Sequence, residues 1–309
     1  RCAHRCRSDF EGTLPTTVTG CPIMSCSQPL SSLARLVCAP EDTNAIGPNH
    51  NLCRGVQDVL TVNCEVLQHA PSLEALIARI GLKPNRHGAL LYGERGARNM
   101  VSQGGMSQHP MQVAPALIRL SQMGLRSYLE LGVDSGWTLA IVAAYLKRFG
   151  LDVSTGVDLT FERLSSTTRH ILKRMHVALV PRNKLVENSI DLCFVDAGHA
   201  LQDLVNDYHD MQPRCANMMF HDVSDFDCWR NAGGGPARFW AGLKSRVHRE
   251  RWTEFVSQPD IFPPTFGIGL LFRGPAITLN ATALRIVAEP ASARGVSRQS
   301  GKMCLGGGR

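Results

Sequence analysis

The sequence predicts an α/β protein with a doubly wound, mainly parallel sheet and an antiparallel hairpin at its C-terminal edge. Short apolar segments alternate with amphipathic segments along most of the chain, which is the order that produces a parallel sheet. Residues 190–196 are apolar along nearly their whole length, as expected for a strand buried on both faces. Two late segments, 252–257 and 266–272, flank a proline-rich connector and are predicted to pair as the hairpin.

A glycine-containing loop follows the first strong strand signal. Residues 128–131 are apolar except for Glu130, and Gly132 and Gly136 separate them from a helix predicted to end before Gly150. Glycine lets the backbone turn sharply and approach a ligand at a helix N-terminus, so this order is typical of a Rossmann-like nucleotide-binding domain. The spacing differs from the G-x-G-x-x-G of dinucleotide enzymes, and the loop alone does not identify the ligand.

The other elements are predicted from apolar periodicity. Strands are predicted at 152–158, 176–180 and 218–222, and helices at 71–80, 110–123, 161–175, 201–211 and 236–247. Residues 1–65 show no sustained period and are predicted to be irregular. The chain is therefore divided into an irregular, Cys-rich N-terminal extension (1–90), an α/β domain (100–275) and a loose C-terminal tail (276–309).

The composition is that of an ordinary globular protein. Of the 309 residues, 44% are hydrophobic and 19% are charged. The net charge is +7, but lysine and arginine are scattered without a run of five, so no nucleic-acid partner is expected. No apolar run reaches the roughly 18–20 residues of a membrane span. The cytoplasm is the default location, and a first residue other than Met is compatible with an incomplete N-terminus or a targeting segment.

Cysteines are concentrated near the N-terminus. Seven of the eleven lie in the first 64 residues: Cys2, Cys6, Cys21, Cys26, Cys38, Cys53 and Cys64. Their spacing lacks the paired C-x2-C pattern of a zinc site. We interpret them as unpaired thiols in a poorly structured leader, and disulfides of an exported protein are the alternative.

Polar residues follow the predicted strands where each one ends. Ligands of an open parallel sheet bind beyond the carboxyl ends of its strands. Asp158 ends the second strand, 22 residues after Gly136, where an acid can accept both ribose hydroxyls of a nucleoside. Asp196, His221 and Asp222 end two further strands and offer oxygen and nitrogen ligands for a divalent cation, with His199 one short loop from Asp196.

Taken together, these motifs resemble class I S-adenosylmethionine-dependent methyltransferases. The resemblance is strongest to the small-molecule and sugar O-methyltransferases that carry a D-x-x-H element after strand four and an H-D element after strand five (methyltransferase family 24). It covers about residues 100–275 and is carried by four segments in the right order: Tyr128–Trp137, Asp158, Ile190–His199 and Phe220–Val223.

The resemblance implies a role for each site residue. S-adenosylmethionine is the implied cofactor, and Mg²⁺ or another divalent cation the implied metal. His199 is the implied general base, acting on a hydroxyl of a small-molecule acceptor. The implied cofactor-binding positions are Glu130, Gly132, Asp134, Ser135, Gly136, Asp158 and Asp196. The implied metal ligands are Asp196, His221 and Asp222.

Other interpretations remain open at this stage. Asp158 can be a surface acid or a helix cap, and Asp196 can cap the following helix or hold a loop. His199 can form a purely structural hydrogen bond with Asp222. A methyltransferase-like domain that has lost catalysis and acts as a binding or scaffold module is one alternative function. An NAD-dependent oxidoreductase is another, which the missing G-x-G-x-x-G disfavours. The sequence does not indicate an oligomeric state.

Overall fold

The computed structural model describes residues 26–39, 47–81, 105–106, 108–186, 189–224, 235–256, 267–274 and 279. Its helices are α1 (Ser31–Leu36), α2 (Pro48–Thr61), α3 (Cys64–Gln68), α4 (Ala70–Ala78), α5 (Pro110–Ser121), α6 (Trp137–Lys147), α7 (Ser166–Arg174), α8 (Leu201–Met211) and α9 (Pro236–Lys244). Its strands are β1 (Ser127–Leu131), β2 (Val153–Asp158), β3 (Val177–Pro181), β4 (Ile190–Val195), β5 (Cys215–His221), β6 (Trp252–Phe255) and β7 (Ile268–Leu271).

The strands form one sheet in the order β3-β2-β1-β4-β5-β7-β6. Strands β1 to β5 are parallel, and β7 runs antiparallel to both of its neighbours, β5 and β6. This confirms the predicted doubly wound, mainly parallel sheet with an antiparallel C-terminal hairpin. The strand order reverses between β1 and β4, and a ligand crevice is expected at that point of the sheet.

Several predicted boundaries shift by a few residues. Helix α7 begins at Ser166 and not at residue 161, because the Ser165 hydroxyl caps it by accepting from the Thr168 N–H at 3.0 Å. Strand β5 begins at Cys215, three residues before its predicted start, since Cys215 already pairs with Ile190 of β4.

The prediction that residues 1–65 are irregular is wrong for the part that the structure describes. Helix α2 begins with Pro48 in its first turn and buries one face that includes Leu52, Val56 and Val59. These residues recur with helical spacing, and the helix packs against α6 in the main hydrophobic core. Residues 1–25 lie outside the described part, and the boundary at residue 90 remains a prediction.

Arg148, at the end of α6, connects the N-terminal helices to the sheet domain. Its side chain is fully buried, and its guanidinium donates to the carbonyls of Val59 and Val62 at 3.1 and 2.9 Å. These carbonyls belong to the C-terminal turn of α2, where the helix dipole favours a cation. The guanidinium also donates to the Ser27 carbonyl at 3.0 Å. The buried guanidinium at the end of α6 thus provides hydrogen-bond donors for carbonyl groups at the end of α2.

Within the described residues, two disulfides correct the interpretation of the N-terminal cysteines as unpaired thiols, and a third joins two cysteines of the sheet domain. Cys26 bonds to Cys64, Cys38 to Cys53 and Cys193 to Cys215, with Cα–Cα distances of 5.7, 5.7 and 5.8 Å. These distances lie in the usual range for a disulfide. The first two join the N-terminal helices, and the third joins β4 to β5. The three remaining N-terminal cysteines lie outside the described residues.

The two faces of the sheet carry separate apolar clusters. All residues of α6 except Lys147 are buried, so this helix lies in the middle of the larger cluster. Helices α8 and α9 cover the other face of the sheet. No helix within the described ranges has both the length and the apolar character needed to cross a membrane.

Candidate active site

The loop between β1 and α6 adopts a conformation that requires glycine. Gly132 and Gly136 have φ angles of 93° and 76°, and Asp134 between them has 46°. A Cβ atom at Gly132 would lie 2.2 Å from the backbone carbonyl oxygen of Asp196, so no larger residue fits. The predicted glycine loop therefore lies directly beside the end of β4. Ser135, a further predicted cofactor position, lies in the same turn and is partly buried.

Asp158 lies at the end of β2 and holds the glycine loop. Its Oδ2 accepts from the N–H groups of Val133 and Asp134 at 2.8 and 3.2 Å, and its Oδ1 accepts from Leu159 at 2.7 Å. Asp158 thus holds the glycine loop, whereas the cap of the next helix, α7, is Ser165. A carboxylate offers about four lone-pair sites, so after three N–H groups about one remains for a ribose hydroxyl.

Asp134 forms an ion pair at the rim of the loop. Its Oδ1 lies 2.7 Å from the Nη1 of Arg163. The Arg163 side chain is 77% exposed, so this pair is screened by solvent and fixes the loop only weakly.

Glu130 lies beneath the loop, with only 1% of its surface exposed. Its Oε2 accepts the hydroxyl hydrogen of Tyr128 at 2.7 Å, and the Leu139 N–H in the first turn of α6 also bonds to it. Burial, together with the nearby charges of Asp196 and Asp158, raises the pKa of Glu130 well above its usual value. These two hydrogen bonds tie Glu130 to its own strand and to the first turn of α6.

Asp196, His221 and Asp222 come together where β4 and β5 end. The two strands pair Val195 with Phe220, so the residues that follow them are neighbours. The Nδ1 atom of His221 lies 3.3 Å from Asp196 Oδ1 and 3.0 Å from Asp222 Oδ1. One potential ligand atom from each of the three residues lies within 4.8 Å of the others. The predicted metal-ligand cluster is therefore assembled in space.

The charges of this cluster stabilise one another. Burial alone would lower the pKa of His221, but the carboxylates of Asp222 and Asp196 outweigh it and raise that pKa well above its usual value. Burial alone would raise the pKa of Asp222, but His221 and His199 outweigh it and lower that pKa. A cation held here by His221 must replace the proton on its imidazole.

His199 lies at the open side of the cluster. Its Nδ1 is 3.2 Å from Asp222 Oδ2, and its side chain is 37% exposed. The hydrogen bond that His199 donates to Asp222 raises the pKa of His199, against the opposing effect of burial. Nδ1 is therefore the ring nitrogen that faces the carboxylate.

Part of the chain matches a known protein domain. The sequence model of a methyltransferase domain matches residues 129–223, from β1 to the end of the metal-ligand cluster. These residues form a methyltransferase domain. No curated protein matches the chain significantly.

Two solved structures are similar to the chain that carries this methyltransferase domain. One is the O-methyltransferase from Bacillus cereus in complex with SAH, with 14% identity and a TM-score of 0.41, covering 72% of this chain and 96% of that one. The other is the O-methyltransferase TomG from Streptomyces achromogenes in complex with SAM, with 15% identity and a TM-score of 0.39, covering 66% of this chain and 96% of that one.

One buried residue beside the candidate site was not suggested by the sequence. Gln108 lies just before α5, and its Nε2 donates to Asp196 Oδ2 at 2.6 Å. Its Oε1 accepts the hydroxyl hydrogen of Thr138, in the first turn of α6. Gln108 is 88 residues from its carboxylate partner in the sequence, and no sequence motif connects the two. Their contact is therefore visible only in the folded chain.

Proposed function

We propose that this protein is an S-adenosylmethionine-dependent O-methyltransferase that methylates a hydroxyl of a small molecule or sugar with the assistance of a divalent cation. The observation that carries the proposal is the meeting of Asp196, His221, Asp222 and His199 beside the glycine loop. These residues supply two carboxylates, one buried imidazole and one accessible imidazole at the carboxyl edge of a Rossmann-like sheet. Such a set of groups suits the activation of a hydroxyl nucleophile.

The glycine loop suits the amino-acid end of S-adenosylmethionine. Helix α6 starts at Gly136 without a side-chain cap, and N–H groups at such a helix N-terminus favour a carboxylate. Asp158 at the end of β2 is the candidate acceptor for the ribose hydroxyls. The cofactor supplies an electrophilic methyl group, and the loop holds it at the switch point between β1 and β4.

The donor set of the cluster also suits a divalent cation. Carboxylate oxygens are ligands for magnesium and manganese, whereas imidazole is also common at zinc and iron sites. Asp196, His221 and Asp222 would hold such an ion, which supplies Lewis-acid stabilisation of negative charge on the acceptor oxygen. The histidine makes manganese at least as suitable as magnesium.

His199 is the candidate general base. Its Nε2 accepts the hydroxyl proton of the acceptor, while Asp222 orients the ring through Nδ1 and stabilises the imidazolium that forms. The half-exposed position of the ring leaves it accessible to a substrate that enters from solvent. The loop that carries His199 thus brings the base to the same edge as the cofactor site.

Calorimetric titration of the purified chain tests the cofactor assignment. We expect S-adenosylhomocysteine to bind with a micromolar dissociation constant and NAD to give no heat of binding. Binding of NAD alone would support an oxidoreductase and contradict the proposal. Binding of S-adenosylhomocysteine without methyl transfer to any hydroxyl acceptor would favour a non-catalytic binding module.

An Asp222→Asn variant tests the metal assignment. Asp222 has a φ angle of 60°, a conformation that asparagine also tolerates, so the substitution removes the charge without straining the backbone. We expect the variant to retain S-adenosylhomocysteine binding and to lose Mn²⁺ binding and any stimulation by metal. Asp210→Asn, on the half-exposed face of α8, is the matched control and should retain both. An unchanged metal response in Asp222→Asn would remove this residue from the ligand set.

A further inference from the structure

We propose that Gln108 is a positioning residue of this active site. Its side-chain amide orients the Asp196 carboxylate and ties it to the first turn of α6, so that the cofactor loop and the metal-ligand cluster are held in one arrangement. The inference rests on the proposed function, because it concerns how the ligand position at Asp196 is set.

Three separate parts of the chain meet at Gln108. The residue itself lies just before α5, Thr138 lies in α6, and Asp196 follows β4. Gln108 and Thr138 are 1% and 8% exposed, so their hydrogen bonds form away from bulk water. A buried amide that lost these partners would keep the cost of its desolvation, so this geometry is strongly preferred.

The two bonds fix which way the amide points. An amide oxygen only accepts hydrogen bonds, so the Thr138 hydroxyl must donate to Gln108 Oε1. The NH₂ group of the amide therefore faces Asp196, and its Nε2 donates to Oδ2 at 2.6 Å. A flipped amide would place its oxygen against the carboxylate oxygen, and the bond to Asp196 would be lost. The carboxylate thus sets the orientation of the amide, and the Thr138 hydroxyl holds the other end of the amide in that orientation.

The bond to Gln108 also differentiates the two oxygens of Asp196. Oδ2 is held by the amide, whereas Oδ1 lies 3.3 Å from His221 Nδ1 and faces the cluster. Asp196 is thereby prepared to offer a cation one oxygen in a fixed direction. Thr138 follows the glycine loop directly. A displacement of that loop would therefore move Thr138, and through the Gln108 amide it would also move Asp196.

A Gln108→Met variant is the direct test, since methionine has a similar length and forms neither bond. We expect the Mn²⁺ dissociation constant, measured by the EPR signal of free Mn²⁺, to rise about 10–100-fold, as when partners of metal ligands are removed elsewhere. Gln112→Met is the matched control. Gln112 is equally buried, but its Oε1 accepts from the Gly267 N–H at 3.0 Å, so its loss should lower stability and leave Mn²⁺ affinity within about twofold.

Two substitutions at Thr138 provide a second test that does not depend on the folding of Gln108→Met. Thr138→Val removes the hydroxyl that bonds Gln108 Oε1, so the amide keeps only its bond to Asp196, and we expect part of the loss of Mn²⁺ affinity. Thr138→Ser keeps the hydroxyl and should restore the affinity of the wild type. Thermal unfolding of each variant separates this effect from a general loss of stability.

The outcomes distinguish this inference from the function on which it rests. If the wild type binds both S-adenosylhomocysteine and Mn²⁺ while Gln108→Met keeps its Mn²⁺ affinity, the positioning role alone is overturned. Equal losses in Gln108→Met and Gln112→Met would overturn it as well. A wild type that binds S-adenosylhomocysteine but no Mn²⁺ would refute the metal assignment, and this inference with it. Failure of the wild type to bind either would refute the proposed function itself.

Discussion

At the scale of single residues, Asp158 combines a structural task with a proposed binding task. Its carboxylate already receives the N–H groups of Val133, Asp134 and Leu159, which fixes its position at the end of β2. Such a preorganised acceptor loses little conformational entropy when a ribose binds. The hydrogen bonds within the protein therefore orient the carboxylate for the proposed ribose contact and leave it about one acceptor site.

Replacing Asp158 by alanine should weaken cofactor binding. Since a hydrogen bond to a charged group contributes about 1.5–3 kcal/mol, we expect the dissociation constant of S-adenosylhomocysteine to rise about 10–100-fold by calorimetry. Asp152→Ala is the control, because Asp152 precedes the same strand at its opposite end and pairs only loosely with Arg126, at 3.5 Å. Unaltered affinity in Asp158→Ala would exclude the ribose role.

At the scale of elements, the loop between β1 and α6 is restricted at two glycines for different reasons. At Gly132 an added Cβ would meet the backbone of Asp196 at 2.2 Å, which cannot move without displacing β4. At Gly136 it would meet the ends of the Leu164 and Thr168 side chains, at 2.6 and 2.8 Å, and these can rotate away. Both positions share the conformational strain of a positive φ.

Alanine at these two glycines should therefore have unequal effects. The conformational strain alone costs about 1–2 kcal/mol at either position. We expect Gly136→Ala to lose about this amount in the free energy of unfolding, and Gly132→Ala to lose more or to fail to fold. Urea unfolding followed by circular dichroism measures both. An equal or smaller loss in Gly132→Ala would show that the contact with Asp196 is not rigid.

The edge of the sheet carries a pH-dependent contact. Burial raises the pKa of Glu254 on β6, but hydrogen bonds from Lys244 and Trp240 outweigh it and hold that pKa below its usual value. Because the pKa of Glu254 is lower in the folded state than the unfolded value of 4.5, its carboxylate stabilises the fold at pH values above 4.5. This stabilisation is lost as the pH falls through the folded-state pKa.

A Glu254→Gln variant tests this dependence. We expect it to be less stable than the wild type at pH 7, by at most about 1 kcal/mol because the pair is partly exposed, and the difference should shrink towards pH 4. Glu250→Gln, in the exposed turn before β6, should follow the wild type at every pH. A difference between Glu254→Gln and the wild type that does not vary with pH would contradict a role for the charge.

At the scale of the whole molecule, the sheet domain was predictable because its strands are apolar and its helices periodic. The same rule places polar residues at strand ends on one edge, and the cluster of Asp196, His221 and Asp222 follows from it. Helix α2 was missed although Leu52 and Val56 have helical spacing, because the asparagines, histidine and glycine among them dilute the apolar signal.

Two features required the folded chain. Disulfide partners cannot be deduced from cysteine positions, since several pairings always fit. Gln108 is equally invisible in the sequence, because an amide has no characteristic spacing from the carboxylate and hydroxyl that it joins. Both depend on contacts between distant parts of the chain, which local patterns do not encode.

The attachment of the N-terminal helices to the sheet domain is tested at Arg148. Arg148→Met would leave the carbonyls of Val59, Val62 and Ser27 without this donor, and we expect a loss of about 2–4 kcal/mol in the free energy of unfolding. Arg126→Met, at a side chain that is 62% exposed, should change stability by less than about 0.5 kcal/mol. Equal stability of Arg148→Met and the wild type would show that this contact does not hold the helices.

The disulfide between Cys193 and Cys215 also has a mechanical consequence. The cysteines are 22 residues apart, and the closed loop between them contains Asp196, His199 and α8. When the oxidised chain is stretched from its two ends, this loop carries no tension, because force passes through the sulfur bridge. The fully extended contour is then shorter by roughly 70 Å, at about 3.4 Å per residue less the 5.8 Å between the two Cα atoms, than that of the reduced chain. Part of the candidate site would thus lie in a stretch that pulling cannot straighten while the bridge is intact.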